Sequence, residues 1–376
     1  MKVAVIYGGR SGEHEISLIS AAAIARGASE RHDVVLIGIA RNGAWYVQDG
    51  AELRRVLENP DVPFNEIEEI EENRVRIVPG AGTAAFSTAS GAVPVDVAFP
   101  ALHGSYGEDG TIQGLLEMLG VPYVGCTTLG SALTMDKEKT KQILAQSGIP
   151  VVPYRCMKRC DLLDSNRYDE LFQNAVDELG FPLFVKPCCA GSSNGAAKAE
   201  TPKQLSYALM EAFRWDDKVL IETAVNAREI ECSVTGNAAT APADSDIEAV
   251  RAFVPGEIIP THEFYDYDAK YTDPDGAGLR IPADLPADMI ETVRSTAVKA
   301  YKALDLTGLS RVDFLLDKDS GALYLNEINT MPGFTPISMF PKMCGAAGLP
   351  FGQLVDLLIA EARAQFAAKS ALQTSR

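Results

Sequence analysis

The apolar run VAVIYGG (residues 3–9) ends in two glycines and is followed by SLISAAAIARGAS and DVVLIGIA. The order strand, Gly-rich turn, helix, strand predicts a βαβ unit at the head of a parallel sheet. VDVAFPALHG (95–104) resumes that sheet, TIQGLLEML is a helix behind it, and the first domain closes near VPYVGC, at about residue 126. Residues 50–93 show only an acidic surface and a hairpin around RVRIVPG.

A second unit opens with one long helical segment, SALTMDKEKTKQILAQSG, stopped by Gly-Ile-Pro. VVPYRCM and PLFVKPCC read as strands, AGSSNG as a loop and LSYALMEAFRW as a helix. KVLIETAV reads as a strand and as the hinge into a last domain that starts at about residue 220. That domain alternates strands with the helix ADMIETVRSTAVKAYKAL and ends in the helix FGQLVDLLIAEARAQFAAKS.

Within it, LSRVDFLLDKDSGALYLNEIN places strand-like runs on both sides of DKDSG, which predicts a hairpin. With Leu316 opposite Tyr324, the register sets Asp313 opposite Glu327. Alternation then puts Arg311, Asp313, Glu327 and Asn329 on one face, with Leu325 beside them. Two carboxylates and an amide suit Mg²⁺, which takes a few carboxylates plus phosphate oxygens. A solvated sheet face is the competing interpretation.

Composition narrows the partners. The 376 residues, 47% of them hydrophobic, suffice for two or three packed subdomains. Fifty-one acidic residues against 34 basic give a net charge of −17, which repels nucleic acid and anionic membrane surfaces. An anionic ligand must then be met by a local cluster of Lys, Arg and backbone N–H groups. No apolar run reaches the roughly 18–20 residues of a membrane span. The start, MKVAVIYGG, is too short for a signal peptide. Seven cysteines without a CxxC pair argue against a disulfide framework or zinc site and for a reduced, cytoplasmic protein.

Four further segments carry candidate chemistry. FVKPCCAGSSNGAAK ends a strand on Lys186 and enters a loop with Gly191, Ser192, Ser193 and Gly195. Such glycines let N–H groups approach phosphate, although the spacing is not GxxxxGK[ST] and a surface loop has similar composition. ALHGSYGEDGTIQG lies at the carboxyl end of a strand, where open α/β sheets bind ligands. Its His103 reads as a structural or a catalytic residue, and Asp109 as a site residue or a helix cap. In YGGRSGEHEISL, Glu13 either holds an amine or serves the helix start through the macrodipole. EFYDYDAKYTDPDGAG has the length of a lid loop with Lys270 and Tyr271 at its tip, or is a plain exposed loop.

Taken in order, GGRSGEHEIS, HGSYGEDGTIQG, MDK, KPCCAGSSNG, FYDYDAKY, GLSRVDFLLD and LNEINTMPGFT resemble the D-alanine–D-alanine ligases of the ATP-grasp superfamily, over nearly the whole chain. The resemblance implies an α/β chain, α+β in its nucleotide-binding part: an ATP-grasp fold with an N-terminal Rossmann-like domain. Its divisions would be a substrate domain at 1–126, a central subdomain at 127–219, and a C-terminal subdomain with metal site and lid at 220–376. It implies ATP-dependent joining of two D-alanines through an acyl phosphate, releasing ADP and phosphate, for peptidoglycan precursors. A homodimer is the expected assembly, and a same-fold ligase using D-serine or D-lactate second is the alternative. A dehydrogenase is disfavoured because GGRSG is not GxGxxG. A non-catalytic relative would have lost Arg311 or a metal ligand, and all are present.

By that resemblance, Lys137 and Lys186 contact the ATP phosphates, Ser192 and Ser193 close over them, and Lys270 joins from the lid. Glu222 and the backbone of Thr223 to Val225 meet the adenine, and Glu229 the ribose. Asp313, Glu327 and Asn329 hold two Mg²⁺ ions, with Mn²⁺ as a substitute. Glu13 receives the first D-alanine's ammonium and His103 neighbours its carboxylate, while Ser338 takes the second D-alanine's carboxylate. Arg311 and the Gly333 N–H form the oxyanion pair, and Tyr271 links to Ser192 and Glu13 on closure. Cys188, Cys189 and Thr223 depart from the family pattern.

Overall fold

The computed structural model describes residues 1–238, 249–260 and 277–373. In the first sheet, Lys2–Gly8 runs parallel to both Asp33–Ile39 and Val97–Ala101, with Trp45–Val47 at the edge. Val3, Val5 and Tyr7 of this central strand are buried under helix His14–Ser29 with Leu18, Ala21, Ala22, Ala25 and Ala28, while Ala4 and Ile6 are buried on the other face with Ile112, Leu116 and Leu119 of helix Thr111–Leu119. Small side chains let helix and sheet approach closely. The segment with little sequence pattern forms helix Gly50–Glu58 and a small sheet of Arg76–Ile77, Phe86–Thr88 and Gly91–Val93. The hairpin expected around RVRIVPG is therefore the first half of that sheet.

The central sheet is antiparallel, in the order Ala197–Ala199, Leu183–Pro187, Lys218–Thr223, Tyr154–Lys158. Helices Ser165–Leu179 and Pro202–Ala212 cover one face of it. Lys218–Thr223 is hydrogen-bonded on both sides within this sheet, so the boundary expected at 219/220 cuts through a strand. The three residues 224–226 connect it to Ala227–Asn237 of the next sheet.

The long helix expected at 131–148 is broken. Asp136 leaves helical geometry (φ −84°, ψ 97°) and accepts the N–H of Lys139, ending Thr128–Met135 and starting Lys137–Gln146. A short carboxylate competes for backbone donors and favours caps over helix interiors. The break places Lys137 in a first turn, where its N–H donates to Cys188 O at 3.1 Å.

The last sheet runs Ala277–Arg280, Gly256–Pro260, Ala227–Asn237, Thr307–Asp317, Leu323–Asn329, and helix Ala287–Ala303 packs on it through Val293, Ala297, Ala300 and Tyr301. In its terminal hairpin Leu316 pairs with Leu323 and Leu315 with Tyr324, one residue away from the expected register. The strand irregularity beside Asp313 and Phe314 takes up the difference at Asn326, and Asp313 still faces Glu327. Hydrophobic burial drives this: Leu325 opposes Phe314 and Ile328 opposes Val312, all four in one core. Leu325 therefore turns away from Glu327, and Asn326 is the extra, bulged residue.

Beyond Asn329 the chain returns to the first domain. Phe334 is buried edge-on against Phe99, ring centroids 5.8 Å apart, and also meets Phe340 and Phe351. Each such ring contributes about 1.5–3 kcal/mol by leaving water. Helices Met339–Ala346 and Phe351–Ser370 share one core with helix His14–Ser29. Among the described residues no single helix is long and apolar enough to cross a membrane.

Glu361, on the last helix, meets the Gly236 N–H, while its Oε2 lies buried without a hydrogen bond. Burial lifts its pKa from 4.5 to about 7. The unfolded chain gives up this proton at the lower pH, so stability falls as pH rises between those two values. Glu361→Gln is expected to raise urea-unfolding stability by about 2–3 kcal/mol at pH 8 and to match the wild type near pH 4. An equal difference at both pH values would remove the carboxyl as its cause.

Candidate active site

The hairpin presents its polar face to a cleft between the last two sheets. Arg311 Nε and Nη2 donate to the two oxygens of Asp313 at 2.7 and 2.6 Å, and Nε lies 3.1 Å from Glu231. Burial alone would lower the Arg311 pKa, but Asp313 and Glu231 hold it well above its ordinary value. Asn329 Nδ2 donates to Asp313 Oδ2 at 2.8 Å. Glu327, facing Asp313, stands 3.3 Å from Lys137 Nζ. Arg311, Asp313, Glu327 and Asn329 thus converge, as the sequence placed them.

These side chains fit a hard cation. Two carboxylates and an amide oxygen are the donor types Mg²⁺ takes. Among the described residues no group of three or more His, Cys, Asp or Glu side chains is placed to hold a metal ion.

Facing the hairpin is a cluster of lysines. Lys137 Nζ donates to Ala190 O at 3.0 Å. Lys186 Nζ is 2.8 Å from Glu222 Oε2 and donates to Asn326 Oδ1 at 3.0 Å. Lys141, one helical turn beyond Lys137 and buried, lies 2.8 Å from Glu222 Oε1. Burial would raise the Glu222 pKa, yet Lys186 and Lys141 hold it below the usual carboxylate range. Sequence inspection missed Lys141 and Asn326. The i, i+4 spacing from Lys137 was a signal for the first. The second reaches Lys186 only because of the bulge.

Between Lys186 and Gly195 the loop carries Ser192 and Ser193 at φ 52° and 57°, left-handed values that L residues seldom adopt. Ser192 Oγ donates to Glu13 Oε1. Glu13 precedes helix His14–Ser29 but makes no capping bond with its side chain, which turns inward instead. A Cβ on Gly104 would lie 2.6 Å from Glu13 Oε2, and Gly104 has φ +68°, so only glycine fits beside this carboxylate.

His103 is buried, with Nδ1 3.1 Å from Met331 O and Nε2 3.0 Å from Ser20 Oγ. The carbonyl requires a proton on Nδ1, so Nε2 accepts from the serine. Burial lowers the His103 pKa against the pull of Glu13 and favours the neutral ring. Burial and then Glu13 push nearby Glu108 up to about 8, while it accepts the Gly104 N–H at 2.9 Å. Asp109 closes its turn by accepting from Tyr106 N and Thr111 N.

Ser338 Oγ accepts the Thr335 N–H at 3.0 Å, and a Cβ on Gly333 would meet that Oγ at 2.6 Å. Glu229 faces Leu315 and Ile258 on neighbouring strands. The N–H groups of Thr223 and Ala224 donate to Pro153 O and Pro182 O. Lys270 and Tyr271 lie outside the described residues.

Residues 2–126 match the family model described as D-ala D-ala ligase N-terminus, and residues 143–360 the one described as D-ala D-ala ligase C-terminus. A D-alanine–D-alanine ligase of Treponema denticola is 50% identical over 377 residues, covering 100% of both chains. One of Thermoanaerobacter sp. is 44% identical over 365 residues, covering 95% of each. Among solved structures, the D-alanine-D-alanine ligase from Coxiella burnetii superposes with a TM-score of 0.82 at 33% identity, over 98% of this chain and 96% of that one. The VanG D-Ala:D-Ser ligase from Enterococcus faecalis gives 0.79 at 35% identity, over 96% and 99%. Similar along its whole length to such enzymes, and sharing the α/β ATP-grasp architecture of these structures, the chain belongs to the D-alanine–D-alanine ligase family.

Proposed function

We propose that this enzyme joins two D-alanines into D-alanyl-D-alanine, converting ATP to ADP and phosphate. The observation that carries this is the convergence, in one cleft, of Lys137 and Lys186 with the Arg311–Asp313–Glu327–Asn329 face and the Glu13–Ser192 pair. In cell terms the product serves peptidoglycan precursors in the cytoplasm, and the enzyme acts as a homodimer. Relatives named for D-alanine alone reach 50% identity over the full chain, above the 35% of the D-serine enzyme, which favours D-alanine as second substrate.

A carboxylate is a poor acylating agent because oxide would have to leave. Moving the γ-phosphoryl of ATP onto the first D-alanine's carboxylate gives an acyl phosphate, from which inorganic phosphate leaves instead. Lys137, Lys186 and the N–H groups of the Ser192–Ser193 loop meet the charge on the phosphates. Glu222 and Glu229 orient the nucleoside end, together with Val225, and Lys270 approaches from its own segment. Asp313, Glu327 and Asn329 would hold Mg²⁺ or Mn²⁺, two ions in all, which supplies charge neutralisation at the phosphate oxygens when bound.

Glu13 holds the first D-alanine's ammonium, and Ser192 ties that carboxylate to the loop. His103, kept neutral, stands beside the same substrate's carboxylate without adding a full charge. Ser338 receives the second D-alanine's carboxylate. Once its ammonium has lost a proton, the amine attacks and forms a tetrahedral oxyanion. Arg311 and the Gly333 N–H stabilise this centre, each on the order of 3 kcal/mol. Tyr271 completes the Ser192–Glu13 link on closure, and water exclusion protects the acyl phosphate from hydrolysis.

Lys141 has a defined part in the electrostatics. Glu222 shared by two lysines leaves net positive charge for phosphate, whereas Glu222 paired with Lys186 alone leaves none.

Steady-state ADP release with Mg²⁺-ATP is expected to require D-alanine, not L-alanine, and to yield one dipeptide per ADP by mass spectrometry. Glu327→Ala is expected to lower kcat by at least about a hundredfold with the fold intact. Near-normal turnover in that variant would contradict the metal and phosphate roles given to the hairpin. Lys141→Met is expected to raise the KM for ATP about tenfold. An unchanged KM would deny that Lys141 frees Lys186 for phosphate.

A further inference from the structure

The turn Trp215–Asp216, between helix Pro202–Ala212 and strand Lys218–Thr223, touches both ends of the Ser192 loop. At the entry, Asp216 Oδ2 accepts the Cys189 N–H at 2.6 Å, while Oδ1 accepts the Lys218 N–H at 3.2 Å. At the exit, Gly195 has φ +72°, and a Cβ there would lie 2.5 Å from Trp215 Cδ1 and 3.1 Å from Pro187 Cγ. The indole therefore lies against a bare glycine, and no other residue type meets both the angle and the space.

The turn is itself well fixed. The N–H groups of Trp215 and Asp216 both donate to Ala212 O, at 3.0 and 3.3 Å, and the Arg159 guanidinium bonds to Phe213 O. Between the two anchor points lie Ser192 and Ser193 in left-handed backbone, which persists only where surrounding structure over-determines it. Trp215 remains 53% exposed, so its ring covers the loop without being sealed in the core.

We propose that Trp215 and Asp216 are positioning residues that hold the Ser192 loop in its phosphate-facing shape, so that affinity for ATP is set partly from outside the cleft. This rests on the assignment of that loop to the ATP phosphates. Without the two anchors the loop relaxes into unstrained conformers, and only a fraction of molecules is competent to bind. The apparent dissociation constant rises by the inverse of that fraction. Nucleotide-saturated enzyme is pulled back to the competent shape, so kcat changes little.

Asp216→Ala and Trp215→Ala are each expected to raise the KM for ATP about tenfold, equivalent to about 1.4 kcal/mol. At saturating ATP, kcat should stay within about threefold of the wild type. Asp216→Asn keeps an acceptor for the Cys189 N–H and Trp215→Phe keeps a ring on Gly195, so both should restore most of the ATP affinity. Simple loss of folded protein would instead lower kcat at constant KM, and a wild-type KM in both alanine variants overturns the proposal. Equilibrium dialysis with radiolabelled ATP repeats the comparison without relying on turnover. ATP bound normally by both alanine variants overturns the anchoring role. ATP bound by wild-type protein without D-alanine-dependent ADP release overturns the ligase assignment alone, and no ATP binding at all overturns both.

Discussion

The buried carboxylate of Glu222, held by Lys141 on one oxygen and Lys186 on the other, is the interaction on which the cleft depends. Lys186 continues the chain of contacts to Asn326, and Lys137 reaches Glu327, so the central sheet and the last sheet meet through charge. Buried ion pairs are poor stabilisers, because desolvation consumes most of the Coulombic gain, and apolar side chains of similar volume often do as well. Packing alone therefore gives little reason to keep three lysines and two acids there. A highly anionic ligand does, and in a chain of net charge −17 it has to be met locally.

The amino-acid end of the cleft follows a different physical rule. Glu13 and His103 are buried polar groups, and Ala101 and Phe334, neighbours in sequence of His103 and Gly333, lie in the core shared by the first domain and the last two helices. Phe334 links these parts as a buried wedge one residue after Gly333. On the proposed assignment, the groups that meet the amino acids are set by this packing and by the hydrogen bonds of His103 to Ser20 and Met331, whereas the lysines that meet the nucleotide are held by charge. Ser192, bonded to Glu13, is where the two ends meet.

Much of this was legible in the sequence, for reasons tied to particular residues. Strong period-two patterns and a DKDSG turn located the hairpin, and Asp313 faces Glu327 as the alternation requires. The route to that pairing was not legible: a single bulge shifts the register, and only the three-dimensional demand to bury Leu325 beside Phe314 places it at Asn326. Asp136 broke a helix that periodicity alone would continue, through a cap that depends on one side-chain rotamer. The engaged N–H groups of Thr223 and Ala224 depend on prolines distant in sequence, which no local pattern encodes. Trp215 and Asp216 gave no signal at all, since their importance lies in which loop they touch.

On the proposed assignment, the cleft carries the γ-phosphoryl of ATP onto a carboxylate before the peptide bond forms. The most direct test supplies D-alanine labelled with oxygen-18 in its carboxylate and measures the isotope content of the inorganic phosphate released. Transfer through an acyl phosphate puts one labelled oxygen into the phosphate for each dipeptide made. Dipeptide formed with unlabelled phosphate would contradict it, because the carboxylate would then never have been phosphorylated.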